Sequence, residues 1–371
     1  MNSIKKIFLS FSLLILIVLF QNCSGSFDSA KLQGELASSP TTSDEQPSQP
    51  SNDNPSDPIN NSNTLPLGTV IEKIGATCSA GSIPNTSCIV YTVSGPELNP
   101  IDVNIRITQP AMNVPLKGTV VFGTGGSGTG FIDSGASMRT YISQLAGSGY
   151  LVIQRAWLST WTKSDVGMAK AASRYSTLLK YLHTNYFTSG AFCAGGNSAG
   201  GSEISYALAR YGLGNILDFA IVSGGPPMGR LDLGCLGGDG WTGVCSNVVP
   251  RENFVYSQAL DCNVGEANFT LIDGAYGQTR ACSLKVESQR TLLYEDSLAS
   301  TLSNFNYPNT KIHFIYGQED FTFAAPSGHT YSLQVTSEKE FSYLAGVTHG
   351  VPESSTGALA YHDSIIANCV K

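Results

Sequence analysis

Past residue 100 the chain repeats one rhythm, in which runs of four to eight apolar residues are followed by longer segments whose apolar positions recur every three or four. The short runs predict strands at 103–108, 119–122, 151–155, 191–194, 219–223, 312–316 and 340–344. The longer segments predict helices at 137–146, 165–185, 202–211, 290–303 and 356–369. Strands alternating with helices in this way predict an α/β fold, a mostly parallel sheet with crossover helices on both faces. The interval 224–289 breaks the rhythm, with eleven glycines, four cysteines and little periodicity. It predicts a cap-like, disulfide-rich insertion before the next strand, at the sheet edge where open α/β folds bind ligands.

The amino-terminal end follows a different pattern. Two lysines precede an apolar run at 7–20, fourteen residues long, too short to cross a bilayer of about 30 Å as a helix, so an export signal is expected. The run ends in Phe20-Gln21-Asn22-Cys23. That ending resembles the lipobox of bacterial lipoprotein signal peptides, although Asn22 stands where a small residue is usual. The resemblance implies a signal peptide at 1–22 and a diacylated Cys23 that anchors the exported chain to a membrane. Ordinary cleavage nearby is the alternative. Residues 23–66 are rich in Ser, Pro and Asn and poor in large apolar side chains, which predicts a disordered tether reaching about 35 Å. The folded domain is then 67–371.

Composition narrows the partners. The net charge is −7, only 13% of residues are charged, and no Lys/Arg cluster follows the signal, so nucleic acid is not an expected partner. Apart from Cys23 there are eight cysteines, none in a C-x-x-C pair or at zinc-finger spacing, so no structural metal is expected. An even count in an exported chain predicts disulfides. Nearest-neighbour pairing joins Cys78 to Cys88, Cys235 to Cys245 and Cys262 to Cys282, leaving Cys193 with Cys369. Cys193 could instead be an inert core thiol.

Two glycine turns carry the candidate chemistry. The first, VVFGTGGSGTG from Val120, spells G-x-G-x-x-G after a strand, as a dinucleotide site would. The following strand offers no acidic residue for a ribose, and the next helix starts late, so a cofactor is not expected. The second turn is Gly196-Asn197-Ser198-Ala199-Gly200, between a predicted strand and a predicted helix. That is the setting of a nucleophile elbow, a sharp turn that exposes a serine hydroxyl above the sheet. After it come KIHFIYG leading to Asp320 and EKEFSYLAG leading to His349, so the order is Ser, Asp, His with each partner just past a late strand.

With GNSAG, YGQED and THG, residues from about 100 to 371 resemble the α/β-hydrolases, specifically a serine esterase or lipase-like member. The resemblance implies Ser198 as nucleophile, His349 as general base and Asp320 as the acid that orients it, with Glu319 the rival acid. It implies an oxyanion hole from the Ala199 amide and the glycine loop, where Gly126 and Ser127 are favoured over Gly125 and no histidine precedes the glycines. It further implies a small or polymeric ester as substrate, with a serine peptidase or a non-catalytic surface binding protein as alternatives. His183, His313, His329 and His362 are assigned to packing or surface. Trp157 and Trp161 either line the pocket mouth or pack inside. Trp241, Phe254, Tyr256, Phe269 and Tyr276 either form the insertion's own core or cover an acyl or aromatic group. Asp165 and Glu203, near predicted helix starts, are expected to be solvated.

Overall fold

The computed structural model describes residues 64–238, 240–247, 256 and 258–371. The proposed signal peptide, Cys23, the tether up to residue 63 and Phe254 lie outside the described residues.

Nine strands form one sheet: β1 (Thr69–Glu72), β2 (Thr86–Ser94), β3 (Ile101–Thr108), β4 (Gly118–Gly123), β5 (Tyr150–Trp157), β6 (Ala191–Asn197), β7 (Phe219–Ser223), β8 (Lys311–Gly317) and β9 (Lys339–Leu344). Their order is β1-β2-β3-β5-β4-β6-β7-β8-β9. The β1-β2, β2-β3 and β3-β5 pairs are antiparallel, and every later pair is parallel. The continuous apolar runs have a direct cause: all residues of β4, β5, β6 and β7 are buried. A parallel strand covered on both faces has no solvent side to alternate with.

The pleat sends Val121, Ile153, Phe192 and Ala220 to one core, and Val120, Phe122, Val152, Cys193 and Ile221 to the other. Leu178, Leu179 and Leu182 of α3 (Ser173–Tyr186) join the first core with Ile204 and Leu208 of α4 (Ala199–Ala209). Ile142 and Leu145 of α1 (Ala136–Gly147) meet Tyr361 and Ile365 of α10 (Ser355–Asn368) in the second. A short helix, α2 (Met168–Ala171), precedes α3, so the single helix expected over 165–185 is broken at Ala172. The helix expected over 290–303 stops early, as α8 (Arg290–Asp296).

Among its described residues the insertion carries three short α-helices, α5 (Leu231–Leu236), α6 (Trp241–Asn247) and α7 (Glu266–Asp273). Its cystines correct the nearest-neighbour pairing: Cys235 bonds Cys282, and Cys245 bonds Cys262 inside that loop. Nesting lets the outer bridge tie α5 to the segment after α7, while Cys245 and Cys262 close over the indole of Trp241. Trp241, Tyr256 and Tyr276 are buried, but only Trp241 sits in the insertion's own small cluster; Tyr276 joins the first core and bonds Asp296, and Tyr256 bonds His329. The other two bridges pair as expected, Cys78 with Cys88 and Cys193 with Cys369, so Cys193 is not a free thiol. Leu65, assigned to the tether by composition, donates its N–H to Arg210 O at 2.8 Å. Among the described residues no helix is long and apolar enough to cross a membrane.

Candidate active site

The turn between β6 and α4 holds Ser198 at φ 54°, ψ −123°, a strained conformation for a side-chain-bearing residue. The flanking glycines make it possible. A Cβ on Gly196 would lie 2.4 Å from Gly200 O, and one on Gly200 would lie 2.6 Å from Thr124 O. Ser198 N donates to Ser223 O at 2.7 Å, and the Ser198 carbonyl accepts the first helical bond from Ser202 N at 3.0 Å. The serine is thereby fixed above the carboxyl end of the sheet.

Its partners come from the next two strands. Asp320 stands three residues past the end of β8, fully buried, and its Oδ2 lies 2.9 Å from His349 Nδ1. His349, after β9, places Nε2 2.8 Å from Ser198 Oγ. Asp320, not the exposed Glu319, therefore faces the imidazole. The second carboxylate oxygen of Asp320 accepts from Thr322 Oγ1 at 2.6 Å and Thr322 N at 3.2 Å, and Thr322 Oγ1 is also 3.4 Å from His349 Nδ1. Sequence reading missed Thr322; a threonine two residues after a loop aspartate is a turn signal that could have found it. Burial pushes the His349 pKa down, but the bond and charge of Asp320, with Glu353 nearby, outweigh it and hold it above the ordinary imidazole value.

The other histidines are engaged elsewhere. His313 bonds Ser364 and Ser342, His329 bonds Tyr256, His183 stacks on Phe187, and His362 meets Asp363.

The glycine loop after β4 closes over the serine: a Cβ on Gly125 would lie 2.8 Å from Ser198 Cβ and 3.4 Å from Ser198 Oγ. Gly125, Gly126 and Ser127 line one wall of a cavity of about 540 Å3 that also contains Ser198 and His349. Ala199, next to the nucleophile, is buried as the first residue of α4. Pro227, Met228, Leu271, Ile272 and Phe323 add apolar side chains to the lining, beside polar Asn197, Asn268 and Thr322. Leu271 and Ile272 belong to α7, so the insertion does form part of the pocket. Glu353 is at the rim, its carboxylate folded over Gly350.

Two expectations are corrected here. Trp157 and Trp161 are 1% and 0% exposed and do not line the cavity; they pack in the first core. Glu203 is not solvated: it is fully buried, paired with Arg155, and accepts from Trp157 Nε1 at 2.7 Å. The helix begins at Ala199, so Glu203 falls in its second turn, facing inward, where only its partners explain a carboxylate. Asp165 is exposed, as expected.

No family model and no curated protein matches the sequence. Among solved structures, a Pyrobaculum calidifontis esterase in a monoclinic form superposes with a TM-score of 0.50 at 16% identity, covering 79% of this chain and 88% of that one. Est1E from Butyrivibrio proteoclasticus gives 0.45 at 12% identity over 75% of this chain and 98% of that one. An acylaminoacyl peptidase from Pyrococcus horikoshii gives 0.48 at 11% identity over 78% and 42%. With its sheet order, its strand-to-helix elbow and the superposition on the Pyrobaculum esterase, the chain has the α/β-hydrolase fold.

Proposed function

We propose that the protein is an exported serine hydrolase that cleaves carboxylic esters through an acyl-enzyme on Ser198. The observation that carries this reading is the unbroken hydrogen-bonded line from Ser198 Oγ through His349 to the buried Asp320 carboxylate, opening on a cavity. In the proposed reaction Ser198 Oγ adds to the ester carbonyl as His349 Nε2 takes its proton. Asp320 keeps the free electron pair on Nε2 and stabilises the imidazolium. The developing oxyanion is assigned to amides of the glycine loop, with Gly126 and Ser127 favoured, and of Ala199. His349 then gives the proton to the departing alkoxide, and water repeats the sequence to release the acid and free Ser198. The apolar lining residues Pro227, Met228, Leu271 and Phe323 suit the hydrocarbon part of a substrate.

Four disulfides in the described domain suit an oxidising compartment, which supports export. The lipid anchor on Cys23 and the tether behind it are proposed from sequence alone.

The test compares p-nitrophenyl acetate, p-nitrophenyl octanoate and an N-acylated peptide p-nitroanilide. The reading expects kcat/KM for either ester to exceed that for the anilide by at least about tenfold beyond the ratio of their uncatalysed rates. Anilide cleavage that matches or exceeds ester cleavage on that scale would move the assignment to a peptidase. Absence of all turnover in the folded, oxidised protein would favour a binding protein.

A further inference from the structure

One buried charged pair has no part in the proton relay. Arg155, near the end of β5, and Glu203, in α4, pair with both side chains fully excluded from solvent. Burial pushes the Glu203 carboxyl up, and Arg155 and Trp157 pull against that shift. Such a pair is expensive to desolvate, and apolar residues of similar size are often as stabilising, so stability alone is a poor account of it.

What the pair holds is more informative. Arg155 Nη2 donates to Thr124 O at 2.8 Å and Nη1 to Gly128 O at 2.9 Å, the two ends of the turn that passes over Ser198. Within that turn Gly128 N bonds Gly125 O at 3.0 Å, and Trp157 N bonds Gly128 O at 2.9 Å. The glycines fit the guanidinium closely: a Cβ on Gly123 would lie 2.6 Å from Nη2, and one on Gly128 would lie 2.6 Å from Nη1. The loop, TGGSGTG, has no apolar side chain with which to anchor itself to a core. Its side-chain bonds, Thr124 to Gly130 O and Ser127 to Thr129, stay within the loop. An oxyanion hole needs its amides fixed before the charge develops, and a glycine loop fixes nothing unaided.

We propose that Arg155, held in place by Glu203, is a positioning residue that sets the backbone of 124–128 over Ser198 and so preorganises the oxyanion hole. This inference rests on the acyl-enzyme reading above. It also accounts for the dinucleotide-like spelling of the loop, since Gly123 and Gly128 make room for a guanidinium and Gly125 for the serine.

The test measures kcat and KM for p-nitrophenyl acetate, together with inhibition by a trifluoromethyl ketone, whose hemiketal with Ser198 carries an oxyanion. Arg155→Lys keeps the charge and loses the two-pronged grip. The double variant Arg155→Met/Glu203→Met removes both charges, so neither is left buried without its partner. In each folded variant kcat is expected to fall about 10²-fold, with KM within about twofold of wild type and ketone affinity falling in step with kcat. Retention of kcat and ketone affinity within about threefold of wild type, in either folded variant, overturns the positioning role. So does a loss confined to melting temperature. A wild type that neither turns over the ester nor binds the ketone overturns the acyl-enzyme reading, and this inference with it.

Discussion

His349 has to be neutral at Nε2 to take the proton of Ser198, and its surroundings oppose that at low pH. Because Asp320 and Glu353 together outweigh burial and raise its pKa, the acid limb of kcat/KM is expected above the ordinary imidazole value of 6.5. Glu353→Gln removes one of the raising charges, so the limb is expected to move to lower pH, read from pH profiles of a p-nitrophenyl ester. An upward shift, or none, would contradict that electrostatic account. At this scale the three residues that the structure brings together were legible because each has a local requirement: glycines around Ser198, and a strand end before Asp320 and before His349. Glu353 and Thr322 were not, because the charge of the one and the hydroxyl of the other come near the imidazole only once the segments after β9 and β8 are folded. Arg155 and Glu203 were hidden for another reason. A charged residue at a strand end or near a helix start reads as solvated until the neighbouring layer is placed upon it.

Strands were legible where an apolar run stood out, which includes the less buried β3 and β9. The parallel strands β4 to β8 were read to within a few residues, since strands covered on both faces leave continuous apolar runs. The edge strand β1 and its neighbour β2 were missed: TVIE is only four residues long, and TSCIVYTVS begins with polar residues and is only partly buried. Helix α9 (Ala324–Ser332) was missed because AAPSGHTYS contains a proline and a glycine, whose poor helix propensity is overridden here by nearly complete burial. The element that matters most to the proposed chemistry is the elbow, and its tolerance is narrow. Gly200→Ala would press a methyl group against Thr124 O at 2.6 Å and Gly123 O at 3.0 Å, whereas Gly147→Ala meets nothing within 4 Å. Gly200→Ala is therefore expected to cost about 1–3 kcal/mol in urea unfolding and to lower kcat further by displacing the glycine loop. Gly147→Ala is expected to leave kcat unchanged; equal behaviour of the two variants would show that the close approach is unimportant.

Over the whole molecule, covalent ties connect the elements that bear the site. Cys193 lies on the strand that delivers Ser198, and Cys369 follows the helix after His349, so one bridge spans 176 residues between them. Replacing both with alanine is expected to remove about 2–5 kcal/mol of stability, measured by denaturant unfolding. Replacing Cys245 and Cys262 is expected to loosen only the small cluster around Trp241. A larger global loss from the second pair than from the first would reverse that ranking. The sheet and the glycine loop converge on a single hydroxyl, and the central claim is that this hydroxyl becomes acylated. The most direct measurement is the pre-steady-state burst of p-nitrophenol from p-nitrophenyl acetate, with the protein's mass recorded on acid quenching. The account expects a burst approaching one equivalent and an added acetyl group on the peptide containing Ser198, both absent in Ser198→Ala. A burst of the same size in Ser198→Ala, or an acetyl group on another residue, would contradict it.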